Sequence, residues 1–456
     1  MRPTPVAEAI ATWGASLTLD AIPDAVQQRL RLLILDHVSV TVGGIGHRAV
    51  RPTLDFIAAR GEPAAQDRHP GPVVIWGVGR QAALEDAVLA HATAASALDF
   101  DDVHLGAGIH PGASCLPAIL GLAEQRQSPL GDTIVAAAVA YEAMVRIGMA
   151  MFPASRARGF HATPVIGSIG AALGAARMMG LTTAQLASAA SLAAMNAGGL
   201  FAYDGNWIDP SRVQVGRIAR EGLLCAQLAA AGSAAPGDVF ESPSGYLQAF
   251  GGSTDRAGIT EGLGADWHLM RTEPKLYPFC KQTYGAIEAA LALRNGGLRT
   301  ADIASVRIGA TASAAALPLE YPGTADDALL SVRFAVASSL ANGHPTLAHL
   351  DAEALRDAET AGLFHRTAVT EDPECTRKFP PKTAASIVVE LEDGTQLHSS
   401  ADGDEALNNP AFELEALTAK FFELVVPRIG AHRCDELLSA GLTATDDTFA
   451  KLLGTL

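Results

Sequence analysis

The sequence predicts a mainly α fold in two parts: a large all-helical domain at residues 1–268, completed by C-terminal helices at 404–456, and a smaller α+β domain at 269–403. Three observations carry this. From Pro5 to about Ala265 the chain is built of long Ala/Leu-rich segments whose apolar residues recur three and four apart, the spacing that gives a helix one apolar stripe. After about Leu269, β-branched residues alternate, which is the period of a half-buried strand. Helical spacing returns at Pro410 and ends near Leu453.

The first helices are predicted at Ala25 to Val42, Ala83 to Leu98, Asp132 to Met151, Thr183 to Ala197 and Gly216 to Ala231, each bounded by Gly or Pro punctuation. Gly167, Gly170, Gly174 and Ala175 give a further segment a small-residue surface, which lets helix backbones approach closely at a cost in propensity. In the second part, strands are predicted at Ala304 to Thr311 and Ala384 to Leu391. Glu392-Asp393-Gly394 is the hairpin turn into Thr395 to His398, and Ala325 to Leu340 is helical. Pro410 to Leu424 and His432 to Ala440 return to the first domain. No period of about 20–50 residues repeats, which excludes a solenoid.

Composition narrows the function. The chain has 33 Lys plus Arg against 49 Asp plus Glu, a net charge of −16, so no overall basic field draws nucleic acid or anionic lipid. Hydrophobic residues at 49% and charged residues at 18% describe a globular chain rather than a disordered one. The five cysteines are widely spaced with no C-x-x-C pair, which fits a reducing compartment and gives no start for a zinc or iron–sulfur site. The prolines and Glu8 near the N-terminus interrupt any signal-peptide core, and Glu142 and Arg146 break the most apolar window. A cytoplasmic protein with no membrane partner is the expectation.

The densest polar cluster is Asp99-Phe100-Asp101-Asp102-Val103-His104, followed by His110-Pro111-Gly112. Carboxylates beside imidazoles at the end of an apolar helix perturb one another toward pKa values useful in proton transfer; the same residues also read as a solvated acidic loop with a helix cap. His161 precedes the glycine-rich helix, whose free N–H groups and positive dipole end suit an anion. Tyr141-Glu142 lies inside an apolar helix, and Lys275 sits at the expected domain junction, a common place for ligands.

Other chemistries compete for these residues. Val73-Val74-Ile75-Trp76-Gly77-Val78-Gly79-Arg80-Gln81-Ala82 reads as a strand, G-x-G-x-x-A and a helix, with Asp99 downstream, and this supports an NAD-dependent dehydrogenase as the alternative of another class. The surrounding helices argue against it, because that fold needs alternating parallel strands. Asp99, Asp101, His104 and His110 carry donor types suited to a divalent metal, but H-E-x-x-H and H-x-H spacings are absent, and no metal is expected. G-x-S-x-G is absent too, which removes the usual serine-hydrolase signature.

The order of these motifs resembles the MmgE/PrpD family, which includes 2-methylcitrate dehydratase, cis-aconitate decarboxylase and iminodisuccinate epimerase. The resemblance is carried by Leu89-Ala90-His91 through Asp99 and Asp102 to His110-Pro111-Gly112, then Tyr141-Glu142, Arg146-Ile147-Gly148 and Gly159-Phe160-His161. It continues with Asp204-Gly205-Asn206-Trp207, Gln214-Val215-Gly216, Lys275-Leu276-Tyr277-Pro278, Asn409-Pro410 and Lys420-Phe421. It implies a helical domain holding most of the site, an α+β lid, a homodimer, and lyase or isomerase chemistry on small polycarboxylates without a cofactor. By motif position it makes His110, Asp99, Tyr141, Lys275 and His161 pocket residues, read here as catalytic, with Tyr321 a weaker match; Arg212, His104, Gln214, Lys281 and Tyr321 are expected to bind substrate. The decarboxylase's lysine and histidine fall at Ser211 and Gln214, and its threonine at Val103.

The expected activity is therefore a hydro-lyase resembling 2-methylcitrate dehydratase, with an epimerase, a decarboxylase or a catalytically idle ligand-binding homologue as alternatives. Removing hydrogen from carbon beside a carboxylate builds a second negative charge, which cations and donors must hold. Lys275 and Arg212 are expected to clamp carboxylates and His161 to donate a hydrogen bond. His110 and Tyr141 are expected to move protons, with Asp99 orienting or tuning His110.

Overall fold

The computed structural model describes residues 4–61, 71–202 and 209–456. These form two compact units, Met1–Pro274 with Leu414–Leu456, and Lys275–Glu413. The fold is mainly α with a smaller α+β unit. Both divisions fall a few residues later than the sequence pattern suggests, for local reasons. The backbone N–H groups of His268 and Leu269 are bonded to Glu142, and Glu273 pairs with Val103, which ties this stretch to the first unit. At the other end, the N–H groups of Gly403 and Glu405 are bonded to Glu288 of the second unit. The motif Asp204-Gly205-Asn206-Trp207 lies outside the described residues.

In the first unit the helix Ala162–Met178 is buried along nearly its whole length among Pro111–Arg126, Leu130–Met151, Thr183–Met195 and Asp209–Ala230. Its glycines make this possible: a Cβ on Gly167 would lie 2.6 Å from Ser114, and one on Gly174 would lie 2.5 Å from Ile119. Overfilling such a contact typically costs about 1–3 kcal/mol. Leu130–Met151 is long and apolar enough to cross a bilayer, but 89% of that apolar window is buried in the protein, as befits a core helix. Its one internal ion pair, Arg146 Nε to Glu142 Oε1 at 2.6 Å, is satisfied further by loop carbonyls of Glu261 and Asp266 and by the N–H groups already named.

The dinucleotide reading is corrected here. Val73–Ile75 and Arg80–Ala82 form a two-stranded antiparallel hairpin, Ile75 opposite Arg80, and the next helix starts only at Leu84. Gly77 and Gly79 have φ of +75° and +72°, so the glycines serve the hairpin turn and not a phosphate loop opening a helix. Trp76 beside the turn is fully buried, its indole N–H bonded to Glu124 and its ring stacked on His91 at 4.0 Å.

The second unit is a four-stranded sheet ordered Thr367–Glu371, Ile303–Ala310, Ala385–Leu391, Gln396–Ala401. The first pair is parallel and the others antiparallel, with Ile308 opposite Ile387 and Val388 opposite His398. Helix Tyr284–Asn295 packs on the sheet and on helix Val332–Asn342, closing a core that includes Phe279, Phe334, Phe364 and Ile387. The helix predicted over Ala325 to Leu340 is two helices, Ala325–Leu329 and Val332–Asn342, because Ser331 caps the second by accepting from the Phe334 N–H.

Candidate active site

Two histidines occupy matching positions in the first unit. His110 is the N-cap residue of Pro111–Arg126 and His161 that of Ala162–Met178, and neither imidazole caps its own helix. The helices pack together, and the His110 N–H is bonded to Thr163 Oγ1 at 3.1 Å, in the first turn of the second helix. Two positive dipole ends therefore lie near one another, a field that favours an anion carrying more than one charge.

The acidic run meets His110 here. Asp101 Oδ1 lies 3.4 Å from His110 Nδ1; the imidazole is 26% exposed and the carboxylate 4%. The Asp101 carboxylate faces the Nδ1 side of the ring, and Nε2 lies on the opposite side. Asp99 joins the group, with candidate donor atoms of Asp99, Asp101 and His110 all within 4.8 Å of one another. Asp99 has φ of 48°, a left-handed conformation that Asp tolerates better than most residues, and one often held at functional sites. Sequence reasoning named Asp99 as the partner of His110; the structure puts both Asp99 and Asp101 beside it, with Asp101 Oδ1 within ion-pair distance of Nδ1. The three side chains also suit a hard or borderline divalent cation.

Behind the histidine, Asp102 and Tyr141 are buried together. The Tyr141 hydroxyl donates to Asp102 Oδ2 at 2.7 Å, and the Gly112 N–H to Asp102 Oδ1 at 2.9 Å. Burial pushes the Asp102 carboxyl up to about 7, against the opposing effect of the Tyr141 hydrogen bond, and burial also holds the Tyr141 phenol well above its ordinary value. The phenol expected to serve substrate is thus engaged with Asp102. Lys420 reaches the same run from the helix Pro410–Ile429, its ammonium donating to Asp36 Oδ1 and to the Phe100 carbonyl, both at 2.6 Å.

His161 is neutral, its pKa lowered to about 4 by burial, with the charges of His110, Arg156 and Arg212 acting in the same direction. Its Nδ1 lies 3.2 Å from Gln214 Oε1, while the Gln214 amide nitrogen donates to the Leu200 carbonyl. That arrangement puts the ring proton on Nδ1, so Nε2 is an acceptor, where the sequence reading expects a donor. Arg212 is buried, its Nε donating to the Ala97 carbonyl and one terminal nitrogen lying 3.3 Å from Ser211 Oγ.

Other predicted residues stand elsewhere. His104 caps the short turn Leu105–Ala107, its Nδ1 accepting from the Ala107 N–H, and burial lowers its pKa to about 4. In the second unit Lys281 donates to the Gly403 carbonyl, with its ammonium 4.3 Å from the Tyr284 ring centre. Tyr321 donates to the Leu355 carbonyl and stacks on His365. Each of the three makes these local contacts in its own unit. Lys275, the first residue of the second unit, is buried. Asp101, Asp102 and Gly112 lie in the polar run that the sequence showed, but their partners, and the part of Thr163, arise from contacts across the fold that spacing does not reveal.

The chain belongs to the MmgE/PrpD family: the MmgE/PrpD N-terminal domain matches residues 8–257 and the C-terminal domain residues 277–443. Membership makes it an enzyme of the lyase type. Among its relatives, a cis-aconitate decarboxylase of Aspergillus terreus is 28% identical over 435 residues, covering 89% of this chain and 86% of the relative. A cis-aconitate decarboxylase-like protein of Aspergillus oryzae is 30% identical over 413 residues, covering 84% and 83%.

Proposed function

We propose that the protein is a cofactor-independent hydro-lyase acting on a small hydroxylated di- or tricarboxylate. The observation that carries this reading is His110: a partly exposed imidazole, paired through Nδ1 with Asp101, at the meeting of two helix N-termini. Nε2 of His110 takes the proton α to a carboxylate. The C–H electron pair becomes the new C=C bond, the β C–O bond breaks, and protonated His110 gives its proton to the departing hydroxyl, which leaves as water. The helix dipoles and Arg212 oppose the charge that builds on the carboxylate, and His161 Nε2 accepts from a substrate hydroxyl. A positioned proton-transfer group is typically worth about 10²–10⁴ in rate.

The names of the relatives favour a second reading, decarboxylation of an unsaturated tricarboxylate. There a C–C bond breaks, carbon dioxide leaves, and the carbanion takes a proton from protonated His110. Ser211, Gln214 and Val103 set this chain apart from the pattern the resemblance gives for decarboxylases. Turnover of 2-methylcitrate, citrate, cis-aconitate, tartrate and iminodisuccinate, followed by NMR with and without chelator, tests both. Loss of water from a hydroxy acid supports the first reading, and loss of carbon dioxide from cis-aconitate the second. Activity that disappears with chelator overturns the cofactor-independent chemistry. A homodimer accompanies the proposal and is checked by sedimentation.

A further inference from the structure

We propose that Asp102, braced by Tyr141, is a positioning residue for His110: it supplies from another segment the helix cap that the His110 side chain does not give. An N-cap side chain ordinarily accepts from the first free N–H groups of its helix. Pro111 has no N–H, so the first available donor is Gly112, and that donor is bonded to Asp102 Oδ1 rather than to His110. Tyr141 fixes the other carboxylate oxygen, and all of this is buried, with Asp102 at 2% and Tyr141 at 0% exposure.

Gly112 supports the same conclusion from sterics. A Cβ there would lie 2.7 Å from the Tyr141 hydroxyl oxygen and 2.8 and 2.9 Å from the two Asp102 oxygens, so any side chain would push the brace apart. On its other side, the His110 N–H is held by Thr163. The peptide carrying His110 is thus fixed at both ends without use of the imidazole, which remains beside Asp101 and partly open to solvent. Tyr141 acts through Asp102 and not on substrate. This inference rests on the reading of His110 as the proton-transfer group.

The test uses the full chain labelled with ¹⁵N-histidine, the His110 signals being assigned by their loss in His110→Gln. In Asp102→Ala the His110 tautomer signature should change and kcat should fall about 10–100-fold, as expected of a small misplacement, with KM altered less than about threefold. Asp102→Asn keeps an oxygen acceptor for Gly112 and should restore both to near the parent. If Asp102→Ala does not fold, Tyr141→Phe is read instead, with a smaller change in the same direction expected. Unchanged His110 signals in Asp102→Ala and Tyr141→Phe would overturn the inference. Changed signals in a protein whose His110→Gln variant turns over normally would support the positioning role and sink the catalytic reading.

Discussion

Replacing Lys420 by methionine tests how the acidic run is held. The ammonium is 3% exposed and lies 2.6 Å from Asp36 Oδ1, itself 1% exposed, and 2.6 Å from the Phe100 carbonyl oxygen. It also sits 3.9 Å from the centre of the Phe100 ring. Lys420→Met keeps most of the apolar stem but removes the cation from a buried carboxylate and a donor from a buried carbonyl. Breaking one side of a buried pair costs about 3–5 kcal/mol, because the remaining charge keeps its desolvation penalty. For a unit of this size that lowers the midpoint of thermal unfolding by roughly 4–8 °C. Thermal and urea unfolding of Lys420→Met, Asp36→Leu and the double variant supply the cycle. The double variant should recover much of the loss, since two apolar side chains leave no buried charge. A Lys420→Met protein within about 1 kcal/mol of the parent would refute the reasoning.

Three further outcomes are expected. His91 is buried and held neutral, its pKa lowered to about 3 by burial. The unfolded chain takes a proton the native state refuses, so this group stabilises above about pH 6.5, and that contribution is lost as pH falls toward 3; by pH 5 the loss is about 2 kcal/mol. His91→Gln should flatten the stability change between pH 7 and 5 by that amount, and an unaltered slope in urea titrations would count against the assignment. Gly112→Ala, which places a methyl against Asp102 and Tyr141, should destabilise by about 1–3 kcal/mol and lower kcat; a neutral effect on both would show that the brace yields freely. Lys275→Met should raise KM for a polycarboxylate about tenfold or more if the sequence-based assignment is right, and equal KM values would remove Lys275 from substrate binding.

The helices were legible because their apolar residues recur at a period that few other structures use, as in Leu130–Met151 and Thr183–Met195. Misreadings came where local pattern admits two structures. Gly77 and Gly79 suit a hairpin as well as a phosphate loop, and Arg80-Gln81-Ala82 is too short to show alternation. The strand Thr367–Glu371 is half-exposed at the sheet edge, so its polar residues hide it. At the site, residue types and motif order pointed to His110, Asp99 and His161, which the structure places in the first unit's polar cluster. Spacing alone could not separate Asp101 from Asp99, nor reveal that Tyr141 serves Asp102 from 39 positions away. Nor does spacing show that Lys281 and Tyr321, assigned to substrate by the sequence reading, also donate to the backbone carbonyls of Gly403 and Leu355.

Proton exchange at carbon reports the central chemistry whichever product forms. The parent protein and His110→Gln, matched for folding by circular dichroism, are incubated with the polycarboxylate panel in deuterated water and followed by NMR. The account predicts deuterium entering at carbon beside a carboxylate, or consumption of one acid, with the parent, slowed at least about 10²-fold in the variant. Equal rates for the two proteins would contradict it.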